Sequence, residues 1–192
     1  MPWEKQFDVD AVLDRAMQQF WNRGYEATSM QDLVACTGIN RASLYATYGD
    51  KHALFLAALR RYEEKTCADL LAELESRHAP REAIRQLFRA FTQIPEQGAG
   101  RGCFLTNTAL ELAAHDADVG RLVAHGQQGI EAFLARMVRK GKADVEIGDH
   151  VRPAEAARSL LASLIGVVVL SRSRPEPALL RTIVDDALRR LD

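Results

Sequence analysis

The chain has 192 residues, 47% of them hydrophobic but only 7% aromatic, with 12 glycines and 6 prolines. Such an aliphatic composition, with few breakers and few β-branched runs, points to an all-α protein long enough to bury a substantial core. The formal net charge of −1 gives no global sign of nucleic-acid binding. MPWEKQFDVD has no apolar core, so export is not expected, and the odd set Cys36, Cys67 and Cys103 suggests free thiols in a reducing cytoplasm.

The first helix is expected over residues 9–23, capped by Asp8. Val9, Val12, Leu13, Ala16, Met17 and Phe20 repeat at helical spacing, and Gly24 stops the helix. Residues 28–51, TSMQDLVACTGINRASLYATYGDK, then read as two short helices around a tight corner. Ser29 caps the first, with Asp32 at capping-box spacing. Gly38 occupies the corner, Asn40 caps the second helix and Gly49 ends it. Two helices of about two turns with a glycine between them match a helix-turn-helix, whose second helix enters the major groove. An ordinary helical hairpin has the same outline. The exposed chemistry separates the two: Leu44 points inward, and Arg41, Ala42, Ser43, Tyr45, Thr47 and Tyr48 leave donors, flat rings and small residues outside. With Ser29, Gln31 and Lys51 they form the expected DNA-binding set.

These residues resemble the tetracycline-repressor (TetR) family of one-component regulators. The resemblance rests on Phe20, Gly24-Tyr25, Thr28-Ser29-Met30, Leu33, Gly38-Ile39, Ser43-Leu44-Tyr45, Tyr48, Lys51 and Ala53-Leu54, about the first quarter of the chain. It implies a DNA-binding head at residues 1–50 and an effector-binding, dimerising body at 51–192. Relatives often carry His or Phe where Ala46 and Thr47 stand, so the base-reading surface is smaller here.

The head is not basic. Over residues 1–51, Lys5, Arg15, Arg23, Arg41 and Lys51 face Glu4, Asp8, Asp10, Asp14, Glu26, Asp32 and Asp50, a net −2. Phosphate contacts usually dominate DNA affinity. The expectation is therefore that placement outweighs the sum, with the aspartates of helix one on its outer side.

Asp50 caps a long helix, 51 to about 74, of roughly 35 Å at 1.5 Å per residue. It joins head to body as a rod. Lys51 in its first turn is either a phosphate contact, where the helix dipole favours an anion, or a solvated lysine. Helices follow at 81 to about 93, 103–112, 118–140, 154 to about 170 and 178–191, making about nine in all. Pro95 and the Gly98, Gly100, Gly102 cluster form a loop expected to be mobile.

Helix 103–112 interleaves Phe104 and Leu105 with Thr106, Asn107, Thr108 and Glu111. Polar groups in a central helix need partners or line a cavity. Phe88, Phe91, Cys103, Phe104, Asn107, Thr108, Glu111, His125 and Phe133 are the candidate effector-pocket residues, against the alternative that the aromatics are plain core. Cys103 follows a glycine-rich loop beside Arg101 at a helix start, which favours thiolate and suggests thiol-based sensing of electrophiles or oxidants as an alternative function. A small packed core residue is the other reading of Cys103.

Residues 160–170 are apolar nearly all round, and the last helix carries a firm seam. The run is broken by Ser163 and too short for a bilayer, so no membrane partner is expected. Either it is an internal core helix, or a second copy covers it. The second reading assigns Leu160, Leu161, Leu164, Ile165, Val168, Leu180, Ile183, Val184, Ala187, Leu188 and Leu191 to a homodimer interface, and the resemblance implies the same four-helix arrangement.

No phosphate loop, HExxH, clustered metal ligands or serine elbow is present, so no catalytic residue, metal or cofactor is expected. The resulting expectation is a one-component DNA-binding transcriptional regulator. Most simply it is a repressor whose grip on a palindromic operator is relieved by an unidentified small molecule. A helical adaptor without a DNA partner is the remaining alternative.

Overall fold

The computed structural model describes residues 7–92 and 101–192. Among these there are nine helices and no strands. Pro95, Gly98 and Gly100, expected in a mobile loop, lie outside the described residues. Gly102 lies inside, with φ of 68°.

Helix α1, Val9–Arg23, starts where the Asp8 carboxylate accepts the N–H groups of Asp10 and Ala11. It ends at Gly24, whose φ of 83° suits a residue without Cβ. Helix α2, Met30–Thr37, opens with the Ser29/Asp32 capping box and closes at left-handed Gly38. Helix α3, Arg41–Tyr48, is capped by Asn40, whose Oδ1 accepts the Ser43 N–H at 2.8 Å.

Helix α4 is continuous over residues 51–77 but not uniform. Lys51–Arg61 and Ala68–Arg77 are α-helical, and Tyr62–Cys67 is a π turn. The inward residues Phe55, Ala58, Leu59 and Tyr62 keep helical spacing, then jump five positions to Cys67 before Leu70, Leu71 and Leu74. One extra residue per π turn makes that jump possible without breaking the rod.

The body adds α5, Pro80–Thr92; α6, Phe104–Glu111; α7, Ala117–Ala143; α8, Pro153–Ser173; and α9, Pro177–Arg189. Two clusters of buried side chains hold it together. One joins the lower part of α4 to α5, α7, α8 and α9, around Ile84, Phe88, Phe133, Leu134, Leu160, Leu164 and Leu188. The other runs from Val12, Phe20, Leu33 and Leu44 of the head into Phe55, Tyr62, Phe104, Leu105, Val119, Val123 and Val168. Head and body thus share one apolar cluster, and edge-to-face aromatic pairs Phe20–Phe55, Tyr25–Phe55 and Phe55–Phe104, with centroids at 5.0, 4.9 and 5.7 Å, run through it.

Helix α8 is longer than its apolar run suggested. At 21 residues it could cross a bilayer by length and composition alone, which corrects the argument from length. Its all-round apolarity has another cause. Ala157, Leu160, Leu164, Val167 and Val168 face the core, while Ala162, Ser163, Gly166, Val169 and Leu170 form a half-covered strip on the far side.

Candidate nucleic-acid interface and body cavity

The outer face of the head is built by what its inner face buries. Leu33 and Leu44 are 0% and 2% exposed, and they press α2 and α3 against α1 and α4. Burying Leu44 turns Arg41, Ala42 and Tyr45 outward, and Gln31 of α2 is exposed as well. The Arg41 guanidinium donates to the Tyr45 hydroxyl at 3.2 Å and lies 5.4 Å from its ring centre, which keeps the two extended together. Ser43 and Thr47 are half-buried. The exposed surface of α3 therefore presents a cation, a phenol and a small gap at Ala42, a set suited to base edges and phosphates.

Three residues expected at this face also make contacts within the fold. Tyr48 is half-buried, and its hydroxyl donates to the Val9 carbonyl at 3.1 Å, so it ties α3 to α1. The Ser29 hydroxyl is engaged with Asp32 in the capping box. Lys51 Nζ lies 4.1 Å from the centre of the Tyr25 ring, and the first turn of α4 is already capped by Asp50.

The charge difficulty is resolved inside the fold. Asp8 and Asp50 cap helices. Asp10 and Asp14 meet Arg61 of α4, at 3.1 Å and 2.8 Å. Asp32 is bonded by Ser29 and by Arg23. The Ser29 hydroxyl and N–H, then Arg23, hold the Asp32 carboxyl below its usual range. The bond from Arg61 does the same for Asp14, against a smaller opposing effect of burial. Asp8 and Asp10 lie on the exposed outer side of α1 and Asp14 is half-exposed, while Asp10 and Asp14 also reach Arg61. They lock α1 onto the rod.

The body contains a narrow, closely packed cleft between α4, α5, α6, α7 and α8, with a cavity volume of about 30 Å³. Its walls are Leu70, Leu71, Leu87, Phe91, Leu105, Ile130, Leu161, Leu164, Ile165 and Val168, with Cys67, Cys103, Thr106 and Gln127 as the polar or polarisable groups. Among the described residues no charged side chain lines it. The walls are mostly apolar, and Thr106 and Gln127 are the lining side chains able to make strong hydrogen bonds.

The sequence matches the family described as bacterial regulatory proteins, tetR family, over residues 12–58, and the tetracyclin repressor-like C-terminal domain over residues 80–186. It is 32% identical to the uncharacterized HTH-type transcriptional regulator YezE of Bacillus subtilis (strain 168), over 98% of each chain. It is 32% identical to the HTH-type transcriptional repressor ComR of Escherichia coli (strain K12), covering 96% of this chain and 89% of that one. Among solved structures it resembles a cysteine-substituted TetR-family regulator, CifR, complexed with 26-base-pair operator DNA, at 28% identity, 99% and 100% coverage and a TM-score of 0.81. The chain belongs to the tetR family. Like the rest of that family it is a DNA-binding transcriptional regulator.

Within this TetR-family body, the nine expected pocket residues separate. Phe91 and Cys103 line the cleft. Phe88, Phe104 and Phe133 are at most 1% exposed and belong to the two cores, because large rings at helical spacing are the cheapest way to fill them. His125 is exposed and pairs with Glu63 at 2.5 Å. Asn107 and Thr108 face a separate groove beside Trp21 and Gly24, and Asn107 Nδ2 donates to the Arg101 carbonyl. Glu111 reaches the head. The sequence did not point to the walls of this cleft because Leu70, Leu71, Ile130 and Leu161 look like any core residue; only the five-residue jump at the π turn marks that face.

Cys103 is 4% exposed, and Arg101 turns away to Gln18 and to the Trp21 ring, so no surface thiolate flanked by arginine forms. Its neighbours are Cys67 and the Tyr62 hydroxyl, which donates at 3.6 Å. The Cys67 thiol hydrogen-bonds to Cys103, which lowers Cys103 and raises Cys67, while burial opposes ionisation of both.

Of the residues expected between subunits, Leu160, Leu164, Val168, Leu180, Val184, Ala187, Leu188 and Leu191 are at most 8% exposed within a single chain. Leu161 and Ile165 line the cleft, and Ile183 packs partly on the body core. The apolar stripe reported that these side chains are buried, not by which chain. The half-covered strip of α8 is Ala162, which is exposed, with Ser163, Gly166, Val169 and Leu170; Leu179 and Ile183 of α9 are half-covered too, and Leu170 and Ile183 pack partly on the body core. Nothing lies within 4 Å of a Cβ placed on Gly166, so this strip admits close approach.

Proposed function

We propose that two copies of the chain bind a palindromic operator and repress the adjoining promoter, and that an uncharged, mainly apolar small molecule in the body cleft releases them. Residues 1–50 act as the DNA-binding head and 51–192 as the effector and dimerisation body, in the cytoplasm, without catalysis. The observation that carries this reading is the α3 face. Arg41, Ala42 and Tyr45 stand outward while the head's aspartates are spent on caps and on Arg61. The operator complex of CifR, a relative of the same overall shape, supports it.

The dimer closes through the small-residue strip of α8 with Leu179 and Ile183 of α9. A two-fold axis there sets two α3 helices about one DNA turn apart, roughly 34 Å. Two heads of modest charge then add their binding free energies through tethering.

The test is a gel shift with the DNA flanking the protein's own gene, in wild type and in Arg41→Ala and Tyr45→Ala. A shift in wild type that either substitution removes, with helicity retained, supports the reading. No shift on that DNA, or a shift indifferent to both substitutions, refutes it.

A further inference from the structure

Helix α6 is only eight residues long, and its two ends serve different sites. Its cap and first turn, Cys103, Leu105 and Thr106, line the body cleft. Its last residue, Glu111, reaches the corner between α1 and α2. There the carboxylate accepts the backbone N–H of Tyr25 at 3.1 Å and of Glu26 at 2.9 Å. These N–H groups follow the end of α1 and precede the helix-turn-helix, so the carboxylate holds the corner from which α2 and α3 hang. The fit is close: a Cβ on Gly24 would stand 2.8 Å from Glu111 Oε2. Two charge-assisted bonds to consecutive amides fix direction as well as distance. The described residues make two other bonds between this segment and α1, Trp21 Nε1 to the Gly102 carbonyl at 3.1 Å and the Arg101 guanidinium to Gln18 Oε1, and both come before α6 begins, at the end opposite Glu111.

We propose that Glu111 is the positioning residue that carries displacement of α6 at the cleft to the DNA-reading helices. The proposal rests on the effector reading above, but its test needs no effector. Gly126 of α7 faces the first turn of α6, and a Cβ placed there would stand 2.5 Å from Leu105 Cδ1 and 3.2 Å from Cδ2. Leu105 is 1% exposed and its Cγ would stand 3.5 Å from that Cβ, so the added methyl displaces the isobutyl group towards the cleft, and the bulkier valine leaves it less room to do so without moving the cleft end of α6. Gly126→Ala, and the larger Gly126→Val, are therefore wedges built into the protein.

The experiment is a double-mutant cycle on operator affinity in the full-length protein. The wedges are placed in the wild type and in Glu111→Gln, which keeps the side chain's length but loses one acceptor oxygen. Circular dichroism and thermal midpoints verify folding. Expected is a loss of at least fivefold in operator affinity from a wedge beside Glu111, within the usual span of allosteric coupling, and less than twofold in the Glu111→Gln background. A residue that merely braces the corner would leave the wedge effect equal in both backgrounds, and that result overturns the proposal. So does the absence of any loss from both wedges. As a second measurement, amide exchange at Tyr25 and Glu26 accelerates about tenfold or more in Glu111→Gln, and unchanged exchange also overturns the proposal. A cleft that binds no ligand would sink the effector reading and leave this cycle intact. Failure of the unwedged protein to bind the operator would sink the DNA reading instead.

Discussion

Arg61→Met tests the claim that the head's acidic residues are spent on holding α1 to the rod. Arg61 is 11% exposed and makes a two-point contact with Asp14, Nε to Oδ1 at 2.8 Å and Nη2 to Oδ2 at 3.0 Å, plus one bond to Asp10 at 3.1 Å. Fully buried, charge-assisted bonds of this kind would be worth about 1.5–3 kcal/mol each. Asp14 and Asp10 are 48% and 71% exposed, so water recovers much of that, and a lone Asp14 escapes the penalty of a buried orphan charge. Methionine keeps most of the apolar stem. The expected cost is about 1–2 kcal/mol at neutral pH, measured by urea unfolding at fixed protein concentration.

The pH dependence has a definite sign. Arg61 lowers the folded-state pKa of Asp14 below the unfolded value of about 3.9. Stability from this pair is therefore complete above the unfolded value and is lost as pH falls through the lower, folded one. Wild type and Arg61→Met should differ by the full amount at pH 7 and converge as pH falls below about 4. Asp14→Asn should remove most of the difference at pH 7. A difference that persists undiminished into acid would refute the ion-pair account and assign the loss to packing of the arginine stem.

Other outcomes follow from the same geometry. Tyr45→Ala should lower operator affinity at least tenfold while changing stability by under about 1 kcal/mol, because Tyr45 is exposed; Tyr48→Phe should do the reverse, costing about 1 kcal/mol for its bond to the Val9 carbonyl and sparing operator choice. Parallel gel shifts and urea curves compare them. Gly166→Arg should convert a dimer into a species of the 21.4 kDa chain mass in sedimentation and weaken operator binding at least tenfold, since it puts a long cation on the close-approach strip. Phe133→Ala, at a fully buried ring in the body core, should cost about 3–5 kcal/mol and lower the thermal midpoint by roughly ten degrees.

Much of the protein is legible along the chain. The periodic apolar residues, the caps at Asp8, Ser29, Asn40 and Asp50, and the glycines at 24, 38 and 49 specify the three-helix head locally. These are interactions between residues a turn or less apart, and sequence spacing records them directly. The all-α class and the helix-turn-helix follow from that alone. What spacing cannot record is which chain, or which side of the chain, covers an apolar surface. Leu160 and Leu188 carry the same pattern whether they pack within one subunit or between two. Only the assembled helices put them inside and left Gly166 and Val169 half-covered. The partners of long polar side chains were equally out of reach. Arg61 found Asp14 from 47 residues away, and Glu111 found the Tyr25 amide from 86. Those pairings depend on how α1, α4 and α6 stack, a property of the whole packed body rather than of any stretch within it.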